Sequence, residues 1–181
     1  LMCKIDNVRN PVHWAALRFA AYIPLRHTEF RLLEWSEWDA EQARLLIPKT
    51  RMKKEVGDMI VPLPRQATAI LQSLRPLNAR HRFVFNSTRE PNRPISHTTL
   101  NDGLRSVGVC TKREHCVHGF RSTFSTTLND QEWNRDWIEM QLSHVPGAVR
   151  GVYNRAQYLS HRTEMMQHYA DWVDAQKAAS L

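Results

Sequence analysis

Three cysteines, Cys3, Cys110 and Cys116, are too few and too odd a set for a disulfide-built scaffold, and they point to a reducing compartment, the cytoplasm. No apolar run approaches the roughly 18 residues that a membrane span needs, and no secretory signal pattern opens the chain. Internal repeats and low-complexity tracts are missing as well. Acidic residues are the short side of the charge balance, 18 Asp plus Glu against 25 Lys plus Arg, for a net +7 with nine histidines in reserve. This balance suits a polyanionic partner, although charge alone would equally serve solubility.

What is present is the material of one globular domain: 181 residues, 42% hydrophobic and 24% charged. The opening LMCKIDNVRN runs almost at once into a helix, as a piece of a longer protein would. Val12, Ala15, Ala16, Phe19, Ala20 and Ile23 recur at helical spacing, so a helix is predicted from Pro11 to Tyr22, stopping near Pro24. LRHTEFRLLEWSEWD reads as a second helix, with Arg26 and Glu29 at i and i+3 on one face; the arginine can be buried and paired by a neighbouring acid or form a plain surface ion pair, and without context the surface pair is the expectation. Three short strands follow, at 38–39, 43–48 and 59–63, the last two joined by the basic loop KTRMKKEVGD. Such a hairpin tip can lie along nucleic-acid phosphates, or simply be solvated.

Further along, a helix is predicted from Pro64 through Leu74, then a short apolar piece at Phe83–Phe85 and a loop ending in a capping Ser96. A helix over 98–107 is closed by Gly108, and a last helix over about 158–179 carries a stripe of Met165, Met166, Tyr169, Trp172 and Val173. The stripe suits core packing or a partner contact. The fold class is α+β, mainly α-helical with a small three-stranded antiparallel sheet.

The chemistry concentrates between Cys116 and Tyr153, where His118 and Arg121 stand three apart, His144 follows, and Tyr153 comes nine residues after it. A helix starting near Gly119 sets Arg121 in its first turn beside His118, so both can meet one phosphate at a helix N-terminus. Pro146 and Gly147 break the pattern after Leu142, which resumes near Ala148 and leaves Tyr153 on a separate short element. Each residue alone is most often a packing or surface residue; the set carries the weight. With a DNA phosphodiester as substrate, Tyr153 can attack phosphorus while His118 takes its proton. Arg26 and Arg121 can hold the non-bridging oxygens without a metal. A hairpin lysine, Lys53 or Lys54, can protonate the departing 5′-oxygen, and His144 can donate a further hydrogen bond. A covalent phosphotyrosine keeps the energy of the broken bond, so rejoining calls for neither ATP nor a metal cofactor.

Arg-x-x-Glu at Arg26, a basic hairpin ending IVPL, HGFR, and LSH nine residues before YNRA together resemble the tyrosine recombinase (phage integrase) family, shared in part with type IB topoisomerases. The wording RMKK before IVPLPRQA, VHGFRSTFST and YNRAQYLSHRTEMMQHYADW is most similar to integrases of prophages and genomic islands. The resemblance implies an activating cluster of Arg26, His118 and Arg121, His144 as second histidine, and Tyr153 as the nucleophile that becomes 3′-phosphotyrosyl DNA. By the RMK wording the lysine is Lys53; counted back from IVPL it is Lys54, with Lys49 a distant third. Pro24 stands where the family often has glycine. The implied partners are double-stranded attachment-site DNA, a homo-tetramer on that DNA and accessory DNA-bending proteins, with the C-terminal segment docking in cis or in trans. Residues 1–181 correspond to the catalytic domain, without the family's preceding DNA-binding domains and monomeric when isolated.

Three rival readings deserve comparison. Cys110, His115, Cys116 and His118 crowd together as a zinc-binding nucleic-acid module would, but lack a paired C-x2-C spacing. Glu29, Glu34, Glu37 and Asp39 could serve a metal-dependent nuclease, although on one helix they would spread around its circumference. A type IB topoisomerase-like DNA relaxing enzyme would use the same residues as the recombinase.

Overall fold

In a computed structural model, residues 1–51, 58–144 and 158–180 are described. α1 (Met2–Ile5) leads to α2 (Pro11–Tyr22), where the predicted bounds hold. The start of α2 is set by Asn10, whose Oδ1 accepts the Val12 and His13 amides at 3.0 and 3.1 Å, with Pro11 in the first turn where no N–H is needed. Ala15, Ala16, Leu17 and Phe19 on α2 are fully buried, and the helix packs on three later ones, α4 (Arg65–Asn78), α5 (Thr99–Ser106) and α8 (Leu159–Ala178). It is the centre of the core.

The predicted second helix is not one helix. α3 spans only His27–Arg31, and a 3-10 turn at Trp35–Glu37 follows. Between them the chain leaves helical geometry to pair with residues 82–84: the Trp35 amide donates to Arg82 O at 3.2 Å and the Val84 amide to Leu33 O at 2.8 Å. Tertiary pairing overrides the local periodicity here; Phe30 and Leu33 are buried, and Phe85 packs between Phe30 and Phe19.

β1 (Trp38–Asp39), β2 (Arg44–Ile47) and β3 (Met59–Pro62) form an antiparallel sheet in the order β1-β2-β3, with Leu45 opposite Trp38 on one side and Val61 on the other. A 3-10 turn, Lys49–Arg51, leaves β2. α4 runs past the predicted end through Pro76 to Asn78, whose buried amide donates to Val84 O at 2.7 Å and Asn86 Oδ1 at 2.9 Å. That tie stitches the end of α4 to the loop that follows.

α6 (Gly119–Asp130) and α7 (Arg135–Gln141) are separate helices. Three helices end in the same way, each with a left-handed residue after the last turn: Gly108 (φ 75°), Glu132 (φ 59°) and Ser143 (φ 55°). In each, the next amide reaches back five residues, Val109 to Leu104 O, Trp133 to Leu128 O and His144 to Glu139 O, which satisfies carbonyls that would otherwise be orphaned. On α8, Met165, Met166, Tyr169 and Val173 are buried in this chain's own core, and Trp172 is partly buried. The stripe is therefore packed in cis.

Candidate active site

Arg26 stands just before α3 in extended backbone, and Glu29 fixes it twice. One carboxylate oxygen accepts the Arg26 amide at 2.8 Å, and the other accepts from Arg26 Nη1 at 2.8 Å. Glu29 is 1% exposed, so the pair is not the surface contact expected from the sequence. An acid so deeply buried is stable only when hydrogen-bonded, and here the arginine's own backbone and side chain both serve it. Arg26 Nη2 remains to donate to Ser143 O at 3.2 Å.

Arg121 lies in the first turn of α6, as predicted, but its side chain turns inward and is 6% exposed. Nη1 donates to Pro24 O, and Nη2 donates to Leu142 O at 2.6 Å and approaches His144 Nε2 at 3.1 Å. Burial, then the neighbouring Arg26 charge, lowers its pKa to about 10, so it stays cationic at neutral pH. A guanidinium offers no acceptor, so this contact requires His144 Nε2 to accept. The ring proton therefore sits on Nδ1, which donates to Glu139 Oε2 at 3.1 Å. In this state His144 cannot also donate from Nε2 to a phosphate; it would have to gain a second proton, with Glu139 holding the first.

The structure thus brings Arg26, Arg121 and His144 to one turn, residues 142–144. His118, at the N-cap of α6, is exposed, and its carbonyl accepts the Arg121 amide at 3.1 Å. Lys53, its alternative Lys54, and Tyr153 lie outside the described residues; Lys49 begins the 3-10 turn after β2.

Residues that the sequence reading passed over support this turn. Arg51 donates from Nη1 to Glu37 Oε2 and from Nη2 to Glu29 O, linking the base of the hairpin to the helix that Arg26 caps. Ser143 Oγ contacts Met59 Sδ at 2.9 Å, tying the turn to β3. Arg51 stood out only as one charge of the basic loop and the first letter of RMKK, not as a structural tie, and nothing in the spacing marked Glu139.

The four acids proposed for a nuclease metal site are each engaged by a different arginine: Glu29 by Arg26, Glu34 by Arg82, Glu37 by Arg51 and Asp39 by Arg44. They do not converge. Among the described residues no group of three or more His, Cys, Asp and Glu side chains is arranged to hold a metal ion. Of the four zinc-module candidates, Cys110 and His118 are exposed, Cys116 is intermediate, and His115 tilts against Phe120 with ring centroids 4.4 Å apart. Among the described residues no helix is long and apolar enough to cross a membrane.

Comparison with known proteins converges on one family. Prophage integrase IntZ of Escherichia coli (strain K12) is 40% identical over 161 residues, 88% of this chain and 39% of that protein. The integrase of Shigella phage Sf6 is 36% identical over 161 residues, 88% of this chain and 41% of that protein. The chain therefore spans about two fifths of the length of these curated relatives. The fold is similar to that of the integrase from mycobacterium phage Brujita, with a TM-score of 0.70 at 17% identity over 92% of this chain and 55% of the other. It is also similar to a lambda integrase tetramer bound to a Holliday junction, with a TM-score of 0.60 at 15% identity over 82% of this chain and 45% of the other. A model of the phage integrase family matches residues 3–160, and the chain belongs to that family.

Proposed function

We propose that this chain is the catalytic part of a site-specific DNA recombinase that cleaves and rejoins strands through a 3′-phosphotyrosyl intermediate, integrating or excising a mobile element. The observation that supports it best is the meeting of two guanidinium groups, 95 residues apart in sequence, on the adjacent carbonyls of Leu142 and Ser143 beside His144. Two fixed cationic forks at one turn suit the non-bridging oxygens of a phosphodiester whose charge grows during attack.

In this reading the Tyr153 hydroxyl attacks phosphorus and gives its proton to His118. A Tyr–O–P bond forms as the bond from phosphorus to the 5′-oxygen breaks, and Lys53 protonates that oxygen. The reverse step, with a 5′-hydroxyl attacking the phosphotyrosine, rejoins the strand. Both steps are transesterifications, so no external energy source enters. The partner is double-stranded DNA. A tetramer on that DNA follows by analogy with the DNA-bound lambda integrase tetramer, and bending proteins would assist assembly at the attachment site. The protein would work where that DNA lies, in the cytoplasm.

A suicide substrate, half-site DNA that loses a short fragment on cleavage, tests the reading. The wild-type chain, assayed with any domains that precede it, is expected to form a covalent adduct in the presence of EDTA. Tyr153→Phe is expected to form none while binding DNA within about twofold of wild type. An adduct with the phenylalanine variant would remove Tyr153 as nucleophile.

A further inference from the structure

Arg162, in the first turn of α8, is 2% exposed. Its Nε and Nη2 donate to Gln141 Oε1 at 3.0 and 2.7 Å, and Nη2 also donates to Ile60 O at 2.7 Å. No carboxylate faces it among the described residues. Burial lowers its pKa to about 10, which leaves it charged at neutral pH. A buried cation held only by neutral acceptors is a poor source of stability, because an apolar side chain of similar volume commonly serves a core as well or better. Gln141, itself 0% exposed, adds a neutral amide whose burial also costs.

The surroundings suggest what the pair is for. Gln141 is the last residue of α7, directly before Leu142 and Ser143, whose carbonyls hold Arg121 and Arg26. Ile60 follows Met59, whose sulfur contacts the Ser143 hydroxyl. Arg162 therefore grips both supports of the turn, the end of α7 and strand β3, from beneath. The turn gains from such support: Ser143 sits at φ 55°, a conformation disfavoured for a residue with a side chain. A planar guanidinium can span two acceptors in fixed directions, as a lysine ammonium does not.

We propose that Arg162, with Gln141, is a positioning residue that holds the 141–144 turn so that Arg26, Arg121 and His144 keep their relative placement. Its catalytic consequence rests on the recombinase reading above; its structural consequence does not. The test uses Arg162→Met, Gln141→Met and the double variant, with two independent readouts. The first is amide exchange at Ser143 and His144 without DNA. The second is single-turnover adduct formation on half-site DNA at saturating protein, alongside DNA affinity and melting temperature.

The double variant, which replaces both buried polar groups, is expected to melt at or above the wild-type temperature, and each single variant, which strands a buried partner, to melt lower. All three are expected to exchange those two amides about tenfold faster and to cleave at least about tenfold more slowly with DNA affinity within about twofold. The double variant is expected to be no worse than either single. Unchanged exchange in the folded variants overturns the proposal whatever cleavage does. Faster exchange with wild-type cleavage overturns its catalytic part. Faster exchange in a protein whose wild type forms no adduct would leave the positioning role intact and remove the recombinase reading. Gln141→Met carries the same readouts if Arg162→Met does not fold.

Discussion

The two arginines at the candidate site are held in opposite ways. Arg26 is partly exposed and carries a buried carboxylate, Glu29, as its own counter-charge. Arg121 is buried and, among the described residues, pairs directly with no carboxylate; its donors meet two backbone carbonyls and an imidazole nitrogen, with Glu29 and Glu139 acting on its charge from further away. Pairing with Glu29 fixes the direction of Arg26 and neutralises much of its field. Neutral acceptors fix Arg121 in place, and in the recombinase reading its charge, offset only from a distance by Glu29 and Glu139, would face an approaching phosphate. The contrast assigns orientation to one and potential to the other.

Substitutions can break that contrast. Arg121→Lys is expected to have the largest effect, at least about a hundredfold in single-turnover cleavage, because an ammonium cannot reach Pro24 O, Leu142 O and His144 together. Glu29→Gln should cost less, about tenfold in cleavage and about 1–3 kcal/mol in stability by chemical denaturation, since one of its two acceptors becomes a donor facing a donor and the counter-charge of Arg26 is lost. Equal losses in these two variants would mean that the arginines do the same work. Glu139→Gln should cost only a few-fold in cleavage, because a glutamine oxygen still accepts the His144 Nδ1 proton but no longer steadies an imidazolium.

The smallest expected effect concerns pH. His27, next to Arg26, is held neutral by burial and by the nearby charges of His97 and Arg31, which lower its pKa from 6.5 to about 4. Between those values the unfolded chain binds a proton that the folded one does not, so the group's contribution to stability is present above pH 6.5 and is lost as pH falls toward 4. The half-exposed ring limits this to about 1 kcal/mol. Thermal melting at pH 7 and pH 5 should show a shallower decline for His27→Gln than for wild type. His13 and His115, whose pKa values are also lowered by burial, keep some slope in both. No comparable change is expected from Arg121, which titrates far above this range.

How far the sequence could be read depended on which physical signal each element used. α2 announced itself through a cap, a first-turn proline and an apolar face, all local, and its bounds were legible. The stretch after Arg26 carried the same helical periodicity, yet its backbone pairs with residues 82–84, and that long-range choice left no local mark. Helix ends divide likewise. Gly108 was readable because glycine favours positive φ, whereas Glu132 and Ser143 adopt the same cap without a residue type that signals it. The break after Leu142 was expected, with Pro146 and Gly147 as turn residues beyond it, and the chain does leave the helix there, at Ser143.

The sequence by itself supplied the candidate inventory and its order, two arginines, two histidines, a hairpin lysine and a tyrosine, and determined a mainly helical domain with a small antiparallel sheet. Side-chain chemistry and periodicity are written in residue identity, so these were open to reading. Only the tertiary structure decided that Arg26 and Arg121 meet, and where. Their acceptors are the carbonyls of Pro24, Leu142 and Ser143, and a main-chain carbonyl is the same group in every residue. A site held by backbone has no letter in the sequence; it exists once the fold has brought the turn beneath the guanidinium groups.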